Sequence, residues 1–302
     1  MAEKLEGRRA GTLEARQIVC KHIDEALSAL KGESPSDAAI HKARKAIKKA
    51  RAVWRLLQQA MPEAIYRGTN SRLRDAGRPL GVARDAKILV VAVDKLLAKA
   101  RGTAAAGYLG AVRRTLLENG LVIKRAVRSE STGLALSRQA LRSARQRIQN
   151  YSIAKHGWST LGKGLGRAYR RGCRMYAKSR SARRVPDLHE WRKQAKYLHH
   201  QLTVLKPLRK GRIGKLSAEA AKLADKLGND HDLAVLRTKI CGPEGAIAPG
   251  AQRRVVTLIE HERKKLQDAA FTLGARIYAE KPADFLARFD KYWRAWRPNK
   301  KA

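Results

Sequence analysis

His41, Arg44, Lys45, Lys48, Lys49, Arg51 and Arg55 fall within fifteen residues, and no acidic residue interrupts them. These side chains offer N–H donors and positive charge, with no paired carboxylates and no nucleophile. The chemistry open to them is capture of oxyanions, phosphoryl groups above all, through Arg forks and Lys point charges. At about 100° per residue, His41, Arg44, Lys45, Lys48, Ala52 and Arg55 share one helix face, with Arg51 at its flank. Ala43, Ala46, Ile47, Ala50, Val53, Trp54 and Leu57 collect on the other. The cationic stripe runs about 20 Å at a 1.5 Å rise per residue, long enough to follow several phosphates. Like charges three and four apart cost such a helix a few tenths of a kcal/mol per pair, which an anionic ligand would offset.

The pattern returns. His41, Arg44 and Lys45 are matched 148 positions later by His189, Arg192 and Lys193, and Lys196, His199 and His200 extend the second stripe. Its apolar counterpart is Trp191, Ala195, Leu198, Leu202 and Leu205. A second landmark, Leu80-Gly81-Val82-Ala83-Arg84-Asp85, returns 147 positions later as Leu227-Gly228-Asn229-Asp230-His231-Asp232. Order and spacing are kept, so the chain reads as a duplicated unit with halves 1–155 and 156–302. Arg138, Arg142 and Arg145 form a further basic row, as do Arg167, Arg170, Arg171 and Arg174.

The elements that must carry these rows are helices. Apolar residues repeat at three and four over long segments, and alternating β-branched runs are missing. The fold is expected to be all-α, two similar antiparallel helical bundles related by a pseudo-two-fold. Helices are expected at roughly 12–31, 36–60, 70–77, 84–101, 104–129, 134–150, 159–178, 187–206, 213–228, 232–241, 252–279 and 283–295. Ser34-Pro35-Ser36-Asp37 and Pro186-Asp187 supply caps and starts, and Gly242-Pro243 with Pro249-Gly250 brackets a loop. Five glycines between Gly157 and Gly172 weaken the helix expected there unless close packing requires them.

Composition sets the class of partner. Of 302 residues, 66 are Lys or Arg and 26 are Asp or Glu, a formal net charge of +40. A folded body with that excess repels itself unless counter-ions or a polyanion are present. Hydrophobic residues form 44% of the chain, enough to bury a core, so this is not a disordered basic tail. Cys20, Cys173 and Cys241 are odd in number and far apart, which suits reduced thiols. No stretch reaches 18 uninterrupted apolar residues and the first residues lack a secretory h-region, so a cytoplasmic protein is expected.

Other chemistries fit less well. His189, His199, His200 and His231 lack metal-ligand spacing, so they read as hydrogen-bond donors to phosphate, titratable near neutral pH. No phosphate loop or carboxylate constellation for phosphoryl transfer is present, and no enzyme activity is expected. Asp85 and Asp232 read as helix caps or ion-pair partners. Nucleic acid is the serious alternative, because phosphate contacts dominate its binding too. The low aromatic content, 5%, and the absence of a nucleic-acid motif weigh against it. A scaffold on an anionic membrane or granule surface is the third reading.

The two landmarks together, a His-x-x-Arg helix with further basic residues and a later Leu-Gly-x-x-Arg/His-Asp turn in each half, resemble the CHAD family, the conserved histidine α-helical domain. Residues 165–179 followed by 187–202 are similar to the family's second-half entry, and the resemblance covers about residues 12–295. It implies an association with inorganic polyphosphate and its granules, with granule proteins as further candidate partners and no cofactor. Carried over residue by residue, it implies a binding surface of His41, Arg44, Lys48, Lys49, Arg51 and Arg55 with His189, Arg192, Lys193 and Lys196. Lys45, Arg84, Arg142, Arg145, Arg170, Arg171, Arg174, His199, His200 and His231 complete the candidate set. Two departures predict unequal halves: Arg84 stands opposite His231, and Tyr197-Leu198 opposite Lys49-Ala50. No Glu-x-Glu-x-Lys signature of the CYTH triphosphatases often fused to this family is present, so the chain resembles the standalone form.

Overall fold

The computed structural model describes residues 3–6, 11–129, 131–153, 157–242 and 249–296, with the side chains of 82–87, 104, 121–129, 131–132 and 249 outside that description. Among the described residues every regular element is helical. In chain order these are α1 (Gly11–Ala29), α2 (Asp37–Leu56), α3 (Glu63–Gly77), α4 (Val82–Lys99), α5 (Ala104–Ser129), α6 (Ser131–Asn150), α7 (Trp158–Ala182), α8 (Val185–Leu205), α9 (Lys210–Ile240), α10 (Pro249–Ile277) and α11 (Pro282–Trp296). Short 3-10 turns join α2 to α3, α3 to α4 and α8 to α9.

The apolar face expected of α2 is the one it buries. Ser36 caps it, its side chain accepting from the Ala39 N–H at 3.2 Å. Ala43, Ala46, Ile47, Ala50, Val53, Trp54 and Leu57 are all buried. Pro186 and Asp187 are the second and third residues of α8, inside its first turn, and Asp187 pairs with Lys178 at 2.8 Å. The helix expected at 70–77 begins earlier, at Glu63, and one further difference has a local cause. The segments expected at 213–228 and 232–241 are one helix, α9, because Gly228 is spanned without a break; in the first half Pro79, which cannot continue the helix hydrogen bonds, marks a 3-10 turn between α3 and α4. The glycine-rich stretch is the first part of α7. A Cβ at Gly164 would lie 2.1 Å from the Leu56 carbonyl oxygen, one at Gly166 2.5 Å from Leu286, and one at Gly172 2.5 Å from Tyr278. Those glycines let α7 approach α2 and α11 closely, and tertiary packing overrides their poor helix propensity.

The packing order is α1 on α2, α2 on α3 and α3 on α6, then α7 on α8, α8 on α9 and α9 on α10, with α2 also on α8. The main core gathers Trp54, Leu73, Leu141 and Ile148 with Tyr169, Trp191, Leu198 and Phe285, so it runs across residue 155. A second core joins Val93 and Leu96 of α4 and Leu109 of α5 to Leu236 of α9 and Val255 and Ile259 of α10. Neither core belongs to one half of the sequence alone. The cysteines are unpaired, and no described helix is long and apolar enough to cross a membrane.

Candidate functional site

The two sequence landmarks meet in space. A Cβ at Gly81 would stand 2.8 Å from Nη1 of Arg44, and one at Gly228 3.2 Å from Nε of Arg192. In each half the Arg of the His-x-x-Arg helix lies across the Leu-Gly glycine, so close that a side chain there would push the guanidinium aside. The rings of His189 and His231, from the same two landmarks, lie 4.3 Å apart by centroid. Arg84, the counterpart of His231, has its backbone in α4, and its side chain is outside the described residues. Reading the motifs separately missed this contact, although the glycine in both copies was its signal.

The two cationic helices also touch each other. The Gln201 amide of α8 donates to the Ala52 carbonyl of α2 at 3.1 Å, and the Arg55 guanidinium lies 4.4 Å from the centre of the Tyr197 ring. This explains why Ala52 is fully buried although the wheel puts it among the basic residues: that level of the face is covered by α8. Two groups of cations stand at the crossing. In one, Lys49 and Lys196 are near His200, with His199 and His22 beside them. In the other, Arg51 and Arg55 of α2 are near Tyr66 of α3, Tyr197 of α8 and Arg171 of α7.

The members differ in availability. His41, Lys45 and Lys48 on α2, Arg142 on α6, Arg170, Arg171 and Arg174 on α7, and Lys193 on α8 are exposed. Arg51, Arg55, Arg170, Arg171 and Arg174 have no carboxylate partner among the described residues, whereas Lys193 pairs with Glu190 at 2.7 Å, an exposed contact worth little. Lys49 is tied to Glu3 at 2.6 Å. Arg145 needs correcting as a surface ligand: it grips the carboxylate of Asp24, with Nη2 at 3.0 Å from Oδ2, and so links α6 to α1. Arg138 of the same row donates from Nε to the Leu30 carbonyl at 2.8 Å and closes the end of α1.

The histidines need a second correction. His199 is held by Ser217, with Nδ1 2.9 Å from the carbonyl and 3.1 Å from the hydroxyl, which fixes α8 on α9. Burial pushes the pKa of His189 down to about 4, reinforced by His231, Lys193 and Arg192. Burial pushes His200 down to about 3, reinforced by His199, Lys196 and Lys49. Burial also lowers His199 and His22, against the pull of Ser217 and Glu25 respectively. At neutral pH these four rings are therefore uncharged. Because their folded values lie below the unfolded value near 6.5, the folded state holds fewer protons, and the stability they contribute is lost as pH falls from about 6.5 toward 4. We expect thermal denaturation to show a loss of about 1–2 kcal/mol between pH 6.5 and 4.5, allowing for solvent screening of the half-exposed rings. The His200→Gln variant should flatten that slope; an unchanged profile would show that these rings titrate normally.

Asp232 is no cap, since α9 runs through it. Burial raises its pKa, opposed by Arg192 and His231, so it belongs to the Arg192 cluster. Asp85 has its side chain outside the described residues. The described group with metal-like spacing, Glu3, His22 and Glu25 within 4.8 Å, does not involve the histidines of α8. Lys49 occupies Glu3 and His22 is bonded to Glu25 at 2.9 Å, so a cation there would meet an ammonium. A cleft of about 750 Å³ opens between the start of α2, α4, α9 and α10, lined largely by apolar side chains such as Ile40, Val91, Leu96 and Leu233, with His41 and Asp232 also on its wall. Its lysines, Lys95 and Lys99, are engaged by Asn229 and Glu262. That lining suits an apolar body and not a phosphate chain.

The CHAD domain family model matches residues 17–240. The crystal structure of the CHAD domain from the plant Ricinus communis superposes with a TM-score of 0.57 at 16% identity, covering 97% of this chain and 94% of that one, which shows a common fold. A search of curated proteins found no match.

Proposed function

Because the chain belongs to the CHAD domain family, we propose that it binds inorganic polyphosphate without catalysis, along the cations at the α2–α8 crossing. One observation carries this reading: Arg51 and Arg55 of α2 and Arg171 of α7 stand together around Tyr66, and neither they nor the exposed Arg170 and Arg174 of α7 have a carboxylate partner among the described residues. Such an array repels itself and is relieved by a polyanion that takes several cations at once, releasing condensed counter-ions. Exposed Lys45, Lys48 and Lys193 extend the path along α2 and α8.

Nucleic acid would use the same charges and would add aromatic stacking to hold bases. The large hydrophobic side chains that stand exposed among the described residues are aliphatic, Val91, Leu117, Leu136, Val185 and Val235. Trp54, Trp191, Tyr169, Phe285 and Phe289 are buried in the core. This supports a ligand that is all phosphate. In the cell, binding of this kind places the protein at polyphosphate granules in the cytoplasm, alone or with granule proteins. The test is competition at fixed salt, in which long-chain polyphosphate should displace DNA and RNA.

A further inference from the structure

Tyr66 is 5% exposed, and its hydroxyl has no hydrogen-bond partner among the described residues. Nε of Arg55 is likewise buried and unpartnered. Buried polar groups in folded proteins are nearly always satisfied, so two orphans in one neighbourhood call for an explanation. Their surroundings supply it. The charged groups that act on the Tyr66 phenol are Arg55, Arg171 and Arg51, all cations, with the Tyr197 phenol beside them. Arg51 is itself drawn into the interior, its pKa lowered chiefly by burial, and its Nε has only the Asn70 side-chain oxygen, at 3.4 Å. The backbone here is fixed, since Nε1 of Trp54 donates to the Tyr66 carbonyl at 3.3 Å and ties α3 to α2.

A structural role for this cluster would place a carboxylate among the guanidinium groups, as Asp230 does for Arg263 at 3.0 Å. None of the described residues plays that part for Arg51, Arg55 or Arg171. What the cluster lacks is an oxyanion with several acceptor lone pairs. We propose that the Tyr66 hydroxyl, the Arg55 fork, Arg51 and Arg171 form a seat for a single phosphoryl group, an anchor point on the longer polyphosphate path. This rests on the reading of the chain as a polyphosphate binder and sharpens it, because a seat recognises one phosphate by hydrogen bonds where the surface rows act by charge. Both orphaned atoms are covered in the free protein, so occupation requires Arg55 to lift from the Tyr197 ring and turn its Nε–H toward the phosphate.

Tyr66→Phe separates a seat from a structural contact. It removes one hydroxyl, no charge and no ring, and since that hydroxyl has no partner in the free protein the variant should melt at the wild-type temperature or above it. With inorganic tripolyphosphate as probe, followed by calorimetry at fixed salt, the variant should bind about tenfold more weakly, with an unchanged salt slope because every cation is kept. Arg55→Lys, which keeps the charge and loses the fork, should also weaken tripolyphosphate binding, while Arg253→Gln on exposed α10 should stay within about twofold. Wild-type affinity in both Tyr66→Phe and Arg55→Lys would overturn the seat, as would a lowered melting temperature in Tyr66→Phe. A wild-type protein that binds long polyphosphate but not tripolyphosphate would overturn the seat and leave the proposed function standing. Binding of neither would overturn both.

Discussion

Neutralising Lys45, Lys48, Arg170, Arg171, Arg174 and Lys196 together, each to Gln, should lower affinity for long-chain polyphosphate by about three to four orders of magnitude at physiological salt. The size follows from about 0.8 kcal/mol per cation, a little under the roughly 1 kcal/mol of a cation facing an anionic surface because part of the loss is made up by redistribution, summed over six positions to about 5 kcal/mol. The salt slope should fall with it, by about 0.7 for each phosphate that no longer meets a cation. The six positions lie on α2, α7 and α8 and are exposed or partly so, so each change should cost under about 0.5 kcal/mol of stability. Arg44 and Arg192 are left out on purpose, because each packs against a glycine, Gly81 or Gly228, and its removal would disturb the packing as well as the charge. The α2 pair or the α7 trio alone should weaken binding by less, since a long ligand redistributes over the remaining cations. Equilibrium titrations across a range of salt read both quantities, and a drop of under tenfold for the sixfold variant would place the site elsewhere.

Gly164→Ala should destabilise the protein by about 3–5 kcal/mol, among the larger effects available to a single methyl group. The added carbon would stand 2.1 Å from the Leu56 carbonyl oxygen and 2.7 Å from its carbon, both backbone atoms at the end of α2 that cannot turn aside as a side chain could. Relief requires α7 to withdraw from α2, opening a core that holds Trp54 and Tyr169. Gly107→Ala in α5 is the matched comparison, since nothing lies within 4 Å of its added carbon. There alanine should stabilise by about 0.5–1 kcal/mol through helix propensity alone. Urea or thermal melts of the two variants should move in opposite directions. A Gly164→Ala protein as stable as wild type would mean that α7 does not press on α2 as described.

How far the sequence discloses this molecule depends on the kind of signal. The apolar face of α2 was legible residue by residue, because a core-facing helix must repeat at three and four whatever it packs against. The glycine run of α7 was ambiguous: the letters show a poor helix former, and only the Leu56 carbonyl and the Leu286 and Tyr278 side chains explain why small residues are required. The stop expected between 228 and 232 failed for the converse reason, since a glycine inside α9 is tolerated where Arg192 covers it. The cationic residues were legible as a set but not by role. Nothing local separates Arg145, bound to Asp24 across 121 positions, from Arg142, which stands exposed three residues away. His199 and His200 looked like surface donors until α9 covered one and the Lys49 side of α2 crowded the other. Tyr66 carried no signal, because a lone tyrosine at core spacing reads as packing and its unsatisfied hydroxyl exists only once α2, α3, α7 and α8 have met.

The cations of this fold should select an all-phosphate chain. The direct measurement is competition at one fixed salt concentration, with long-chain polyphosphate, short-chain polyphosphate, double-stranded DNA and single-stranded RNA compared at equal phosphate concentration. Long-chain polyphosphate should displace both nucleic acids and outcompete the short chain, because it engages α2, α7 and α8 together. Preference for DNA or RNA over long-chain polyphosphate would contradict the account.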